Sequence, residues 1–207
     1  MRKWMLLPLL AAWGLGLQAC APKSQNDCGF VQNVYGERIS WKGQVPVVMH
    51  LHSSVPASYE TAIRDAARTW NSRAGKTLIE ISSRRVSGVP DGRDRMNVIS
   101  FASSWDPSKL AEQAKTTVHW VGDQIQEADV KVNASKVDGE SVFSFYYDQA
   151  PTEPSVNMEA LTLHEFGHVI GLKHDDKGKS VMATYLANNS DRTQLSSSDE
   201  ANLQCEY

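Results

Sequence analysis

Residues 164–174 read His-Glu-Phe-Gly-His-Val-Ile-Gly-Leu-Lys-His, and Met182 follows eight residues after the last histidine. On a helix, His164 and His168 lie one turn apart on one face, where two ring nitrogens can meet one ion at about 2.0–2.1 Å. His174 is six residues further on, so a continuing helix would carry it to the wrong side. Gly171 stands where the chain has to break, because glycine takes left-handed backbone angles cheaply at a helix end. Three neutral imidazoles leave a fourth position open for water, the pattern of a catalytic zinc site rather than a closed structural one. Glu165 follows the first ligand and reaches that water without ligating the metal, as a general base. The chemistry expected is hydrolysis assisted by one Zn2+.

These groups need a helix over about Met158 to Ile170. Asn157 suits its N-cap, Glu159 its first turn, and Met158, Leu161, Phe166, Val169 and Ile170 give apolar positions near helical spacing. Upstream, Val45–Leu51 alternates as a strand. Ser58 can cap a helix to about Arg73, with Tyr59, Ala62, Ile63, Ala66 and Trp70 as its buried stripe and Gly75 past its end. Residues 77–81 and 96–101 read as strands, 116–121 and 128–133 as a hairpin-like pair, and 143–147 as an extended or aromatic segment. A last helix spans about Ser197 to Gln204. The sum is an α+β domain, a twisted sheet covered by helices with the site in a cleft below the sheet edge.

The chain has 207 residues, 41% of them hydrophobic, and a net charge of −3. That fits one domain with a proper core. No basic stripe appears, so no nucleic-acid partner is expected. Arg2 and Lys3 precede an apolar run from Trp4 to Leu17, which reads as a secretory signal. Leu17-Gln18-Ala19-Cys20 resembles a bacterial lipoprotein lipobox, in which Cys20 becomes the lipidated first residue. The expected division is a signal peptide at 1–19, a lipid-anchored tether and N-terminal segment at 20–44, and the catalytic domain at 45–207. The product is an exported, monomeric lipoprotein of the cell envelope, at the outer membrane or the cell surface. Removing Cys20 leaves Cys28 and Cys205, a candidate disulfide in an oxidising compartment; the alternative is a Cys28 switch that blocks the zinc.

The zinc run, Met182 as a Met-turn, and the tail Leu195-Ser196 through Asp199, Leu203-Gln204 and Tyr207 together resemble the metzincin peptidases, closest to the matrixins. The resemblance implies a zincin-like fold: a mostly parallel sheet with an antiparallel edge strand, an active-site helix and a C-terminal helix. It implies a metalloendopeptidase acting on protein or peptide, with Ala183, Thr184, Tyr185 and Leu186 lining the S1′ pocket and the strand near Thr116–Val121 pairing with substrate backbone. The alternatives are a non-enzymatic zinc-containing binding lipoprotein and a zinc hydrolase of cell-wall peptides. Three lesser features have plain readings. Asp91 and Asp94 read as a plain turn rather than a Ca2+ site, His50 and His52 as surface histidines rather than ligands of a second metal, and Asp175 either orients a ligand or closes a turn.

Overall fold

The computed structural model describes residues 24–88 and 92–207. Cys20, the signal segment and Asp91 lie outside the described residues. The elements run β1 (Val47–Leu51), α1 (Glu60–Ala74), β2 (Ile79–Ile81), β3 (Asn97–Ala102), β4 (Ala114–Val121) and β5 (Gln124–Asn133). Two short pairs follow, β6 (Lys136–Val137) with β7 (Glu140–Ser141) and β8 (Phe145–Tyr146) with β9 (Val156–Asn157). The chain ends with α2 (Met158–Val169) and α3 (Ser197–Gln204).

The main sheet has the order β2-β1-β3-β5-β4. All its pairs are parallel except β4 against β5, so the antiparallel member is the edge strand. One sheet face presents Val47, Met49, Leu51, Ile99, Ala128 and Val130 to α1 and α2, and all of these are buried. Trp70 of α1 is fully buried and donates from Nε1 to Leu163 O of α2 at 2.9 Å, which locks the two helices together. The β4–β5 register shifts between His119 and Trp120, and the turn uses Gly122 at φ 65°.

Several boundaries differ from expectation for identifiable reasons. Pro46 has no N–H to give a ladder, so β1 begins at Val47 rather than Val45. Ser58 does not cap α1: residues Ala57–Tyr59 form a single 3₁₀ turn, and no side chain caps the helix that follows. Strand β2 starts late because Asn71 holds its approach. The Asn71 Oδ1 accepts from Leu78 N and Ile79 N while its Nδ2 donates to Ile79 O. Strand β5 starts at Gln124 rather than 128, and the buried charges Glu127 and Asp129 hide its alternation. Glu127 accepts from Arg93 N and Arg95 N, and Asp129 from Val98 N at 3.0 Å. Asp94 Oδ1 accepts from Met96 N, a turn contact.

Residues 28–44, expected ahead of the domain, lie against its core. Phe30, Ile39 and Trp41 are buried, and Trp41 Nε1 donates to Val169 O at 2.8 Å. Cys28 and Cys205 are joined in a disulfide with Cα atoms 6.2 Å apart, tying this segment to the end of α3.

Two stability predictions follow from these contacts. The bridge closes a loop of 177 residues in sequence separation. Chain-entropy reasoning gives such a loop about 5 kcal/mol, so Cys28→Ala with Cys205→Ala should lower the denaturant-unfolding free energy by a comparable amount; an unchanged midpoint would remove the bridge from the stability account. Burial pushes the Asp129 carboxyl up to about 6. Its folded value therefore exceeds the unfolded one near 3.9, and the folded state holds the proton more tightly. Stability should fall as pH rises from about 4 to 6. Asp129→Asn keeps an acceptor for Val98 N and should be the more stable protein at pH 8, by up to about 2–3 kcal/mol. Thermal unfolding of both proteins at pH 4 and pH 8 should show that difference vanish at the lower pH.

Candidate metal centre and cleft

Helix α2 is built to end abruptly. Asn157 Oδ1 caps its start by accepting from Glu159 N at 2.9 Å and Ala160 N at 3.1 Å. At its end Gly171 takes φ 103°, Leu172 N donates to Gly167 O, and Gly171 N to His168 O. This pair of bonds is a Schellman closure. A Cβ at 171 would run into Ile39 O, so backbone packing as well as φ requires glycine there. The remaining carbonyls at this end are also satisfied. Trp41 Nε1 donates to Val169 O, and Tyr207 Oη to Ile170 O at 2.7 Å.

The break lets the chain return His174 to the ligand face. His168 Nε2 lies 3.2 Å from His164 Nε2 and 3.2 Å from His174 Nε2. Tetrahedral metal–nitrogen bonds of about 2.0–2.1 Å would separate ligand nitrogens by roughly 3.3–3.4 Å. His164 Nδ1 donates to Val181 O at 2.8 Å and His168 Nδ1 to Leu172 O at 2.8 Å. Carbonyls only accept, so these bonds place the ring protons on Nδ1 and leave bare Nε2 lone pairs facing one another. Burial, then repulsion from His168, lowers His164 to about 3, and burial lowers His168 to about 4, so both rings are neutral. Converging neutral lone pairs call for a cation between them, and the donor set fits zinc. Among the described residues these three histidines are the one group of three or more His, Cys, Asp or Glu side chains close enough to share an ion. His52 is engaged elsewhere, with Ser54 Oγ and Gly88 O.

Glu165 is 4% exposed and points into the same cleft. Burial pushes its carboxyl up to about 7, opposed by Thr116 Oγ1, which donates to Glu165 Oε2 at 2.5 Å. The cleft measures about 800 Å³. Thr116 and Val118 of β4 form one wall, α2 the floor, and Ala183, Thr184, Tyr185 and Leu186 the opposite side. Leu186 is buried and Tyr185 is 75% exposed. Asp176 steadies this second wall, accepting from Thr184 N and Thr184 Oγ1. Asp175 serves as a turn residue: its Oδ1 accepts from Lys177 N, and its N–H donates to Met182 O.

The expected Met-turn residue has partners that the sequence did not show. Met182 is buried under α2, and a Cβ at Gly167 would collide with its sulfur, so Gly167 is the counterpart of the Met-turn. Asp199, the N3 residue of α3, is fully buried. It accepts from Ser180 Oγ (2.5 Å), Val181 N (3.0 Å), Ser196 N (2.8 Å) and Ser196 Oγ (2.7 Å). The Ser196-x-x-Asp199 capping box is visible in the sequence, but its reach to residue 181 is not. Asp199 thus holds residue 181 from both sides, through Val181 N directly and through Ser180 Oγ, which accepts from Met182 N, and so fixes the Val181 carbonyl that orients His164.

The family model described as Matrixin matches residues 22–207. The match takes in the segment that precedes β1 as well as the zinc run. No curated protein matches the chain.

Asp199→Asn keeps the size and loses the charge and half of the accepting capacity. It should lower stability by about 1–3 kcal/mol for a donor left unpaired, and loosen metal binding about tenfold, as loss of outer-shell partners typically does. Thermal unfolding and zinc competition against a chelator read the two effects separately. Unaltered zinc affinity would detach Asp199 from the metal centre.

Proposed function

The chain belongs to the matrixin family of zinc metallopeptidases, and from that premise we propose that it is an endopeptidase that cuts extended polypeptide with Glu165 as general base. The observation that carries the reading is the convergence of His164, His168 and His174 beside a buried carboxylate, in a cleft walled by an unpaired strand edge. His164, His168 and His174 would hold the zinc. Bound there, zinc supplies Lewis acidity toward the scissile carbonyl and a nucleophile at neutral pH.

The protein's own groups do the rest. Strand β4 is the outer member of the sheet, so its free edge offers backbone N–H and C=O groups to a substrate strand. That pairing lays the scissile bond across the floor formed by α2. Ala183, Thr184, Tyr185 and Leu186 receive the side chain that follows the cut. Glu165 takes a proton from the attacking water and delivers it to the leaving amine nitrogen. Its burial suits this exchange, because a carboxyl raised to about 7 takes the proton readily and still releases it near neutral pH. Thr116 holds the carboxylate toward the cleft, and Met182 packs beneath the imidazoles without donating to the ion.

We further propose that the protein is exported and held at a bacterial envelope membrane by lipid on Cys20. The Arg2-Lys3 start, the apolar run and the Leu17–Cys20 sequence support this. The Cys28–Cys205 bridge is consistent with an oxidising compartment.

Casein cleavage by the mature protein tests the reading. Activity should vanish with chelator and return with zinc. Glu165→Gln should keep one zinc per chain and lose roughly 10²–10⁴-fold in kcat. Comparable turnover in that variant would remove Glu165 from the mechanism. One bound zinc without cleavage by the unaltered protein would favour a binding role.

A further inference from the structure

A turn and the adjoining end of the β4–β5 hairpin carry exposed apolar side chains at one end of the molecule. Val34 is 93% exposed, Tyr35 62%, Val121 74% and Trp120 46%. Turn centres ordinarily carry Gly, Pro, Asn, Asp or Ser, whereas Val34 and Tyr35 occupy the middle of the turn closed by Gly36 N donating to Asn33 O. The two tips are braced as a unit. Asn33 Oδ1 accepts from Tyr35 N and Glu37 N, and its Nδ2 donates to Gly122 O in the β4–β5 turn. Ser40 N donates to Asp123 O, and Ile125 N donates back to Ser40 O.

The chain enters the domain at this place. Gln25 N donates to Gly36 O at 2.9 Å, and Gln32 Nε2 donates to both Gln25 O and Gly36 O at 2.8 Å. Ser24 packs so close that its Oγ lies 2.6 Å from where a Cβ on Gly36 would sit. Cys20 precedes Ser24 by four residues, a span of at most about 14 Å of extended chain. Lipid on Cys20 therefore holds a bilayer within about 14 Å of Ser24, which packs beside the apolar tips.

We propose that Val34, Tyr35, Trp120 and Val121 form a membrane-facing patch seated in the headgroup layer of the phospholipid bilayer that holds the anchor; this rests on the reading that Cys20 is lipidated. The chemistry matches that layer. Tyr and Trp place an apolar ring in the interface and keep a polar group hydrated, while the valines reach the acyl boundary. Trp120 and Val31 also line the catalytic cleft. Seating the patch fixes one end of the cleft against the membrane, so the preferred substrates are polypeptide segments close to the bilayer surface.

Site-directed spin labelling tests the patch. The mature protein, its lipid verified by mass, is placed in vesicles of phosphatidylethanolamine and phosphatidylglycerol. Nitroxides go singly on Val34→Cys, Val121→Cys and, as a control in the exposed segment after β2, Ser83→Cys. The first two labels should lose several-fold in collision with a water-soluble nickel chelate and gain collision with oxygen, and the control should change little. Equal nickel accessibility at all three sites, with lipid present on Cys20, overturns the patch. A mature protein whose mass shows no lipid overturns the anchor reading beneath it, a failure distinct from the first. Protection in envelope membranes but not in protein-free vesicles overturns lipid as the occupant and assigns the surface to a protein.

Discussion

Three imidazole nitrogens converge, His168 Nε2 lying 3.2 Å from each of the other two, and such crowding is unfavourable in an empty site, so the folded chain must impose that geometry before an ion can reward it. The imposition comes from backbone carbonyls. His164 and His168 are each oriented by a carbonyl on Nδ1, and both carbonyls, of Val181 and Leu172, belong to chain beyond the helix. The ligand set therefore depends less on α2 than on how the chain after α2 is brought back underneath it. Asp199 decides that return. Its carboxylate gathers the 180–181 peptide and the start of α3, and Met182 then fills the space that Gly167 leaves open.

The same economy governs Glu165, the proposed general base. A carboxylate buried next to apolar helix neighbours would be held protonated, and the hydroxyl of Thr116 works against that by donating to it. Thr116 sits on β4, the outer strand of the sheet, along which substrate is proposed to pair. Under the proposed mechanism, base orientation and substrate pairing both fall to one strand, so a shift of β4 would disturb both. The antiparallel hairpin with β5 steadies this edge; on β5, Glu127 fastens the loop before β3 through Arg93 N and Arg95 N, and Asp129 holds Val98 N of β3 itself.

What was legible in the sequence follows from where the information is local. His164 and His168 obey the helical period, Gly171 marks a backbone break, and Asn157 and Ser196 cap their own helices, so each can be read from a few neighbouring residues. The sheet's mostly parallel order came through family resemblance rather than periodicity. The rest is hidden because its partners are distant or its pattern is broken. Asp199 looks like half of a capping box, and nothing nearby tells that it also holds residue 181. Glu127 and Asp129 make the first half of β5 look like loop, since their burial depends on N–H donors some thirty residues away. Residues 28–44 look like tether because Phe30, Ile39 and Trp41 are spaced with neither strand nor helix period; their places are set by contacts with α2 and α3.

Those contacts explain why the chain's two ends matter to the site. Trp41 from the N-terminal segment and Tyr207 from the last position donate to consecutive carbonyls, Val169 and Ile170, just where α2 must stop. Glu206 joins them, accepting from Arg38 Nε, Ser40 Oγ and Lys42 Nζ, and the disulfide fastens Cys28 to Cys205. An α-helix leaves its last carbonyls without intrahelical partners, and leaving them buried and unpaired would cost a few kcal/mol. By supplying those partners from both termini, the fold makes the break after α2 favourable and keeps His174 turned toward the other two ligands. The opposite side of the ligand set stays open to the cleft. The centre is therefore stiff on the side that fixes ligand geometry and open on the side of the cleft.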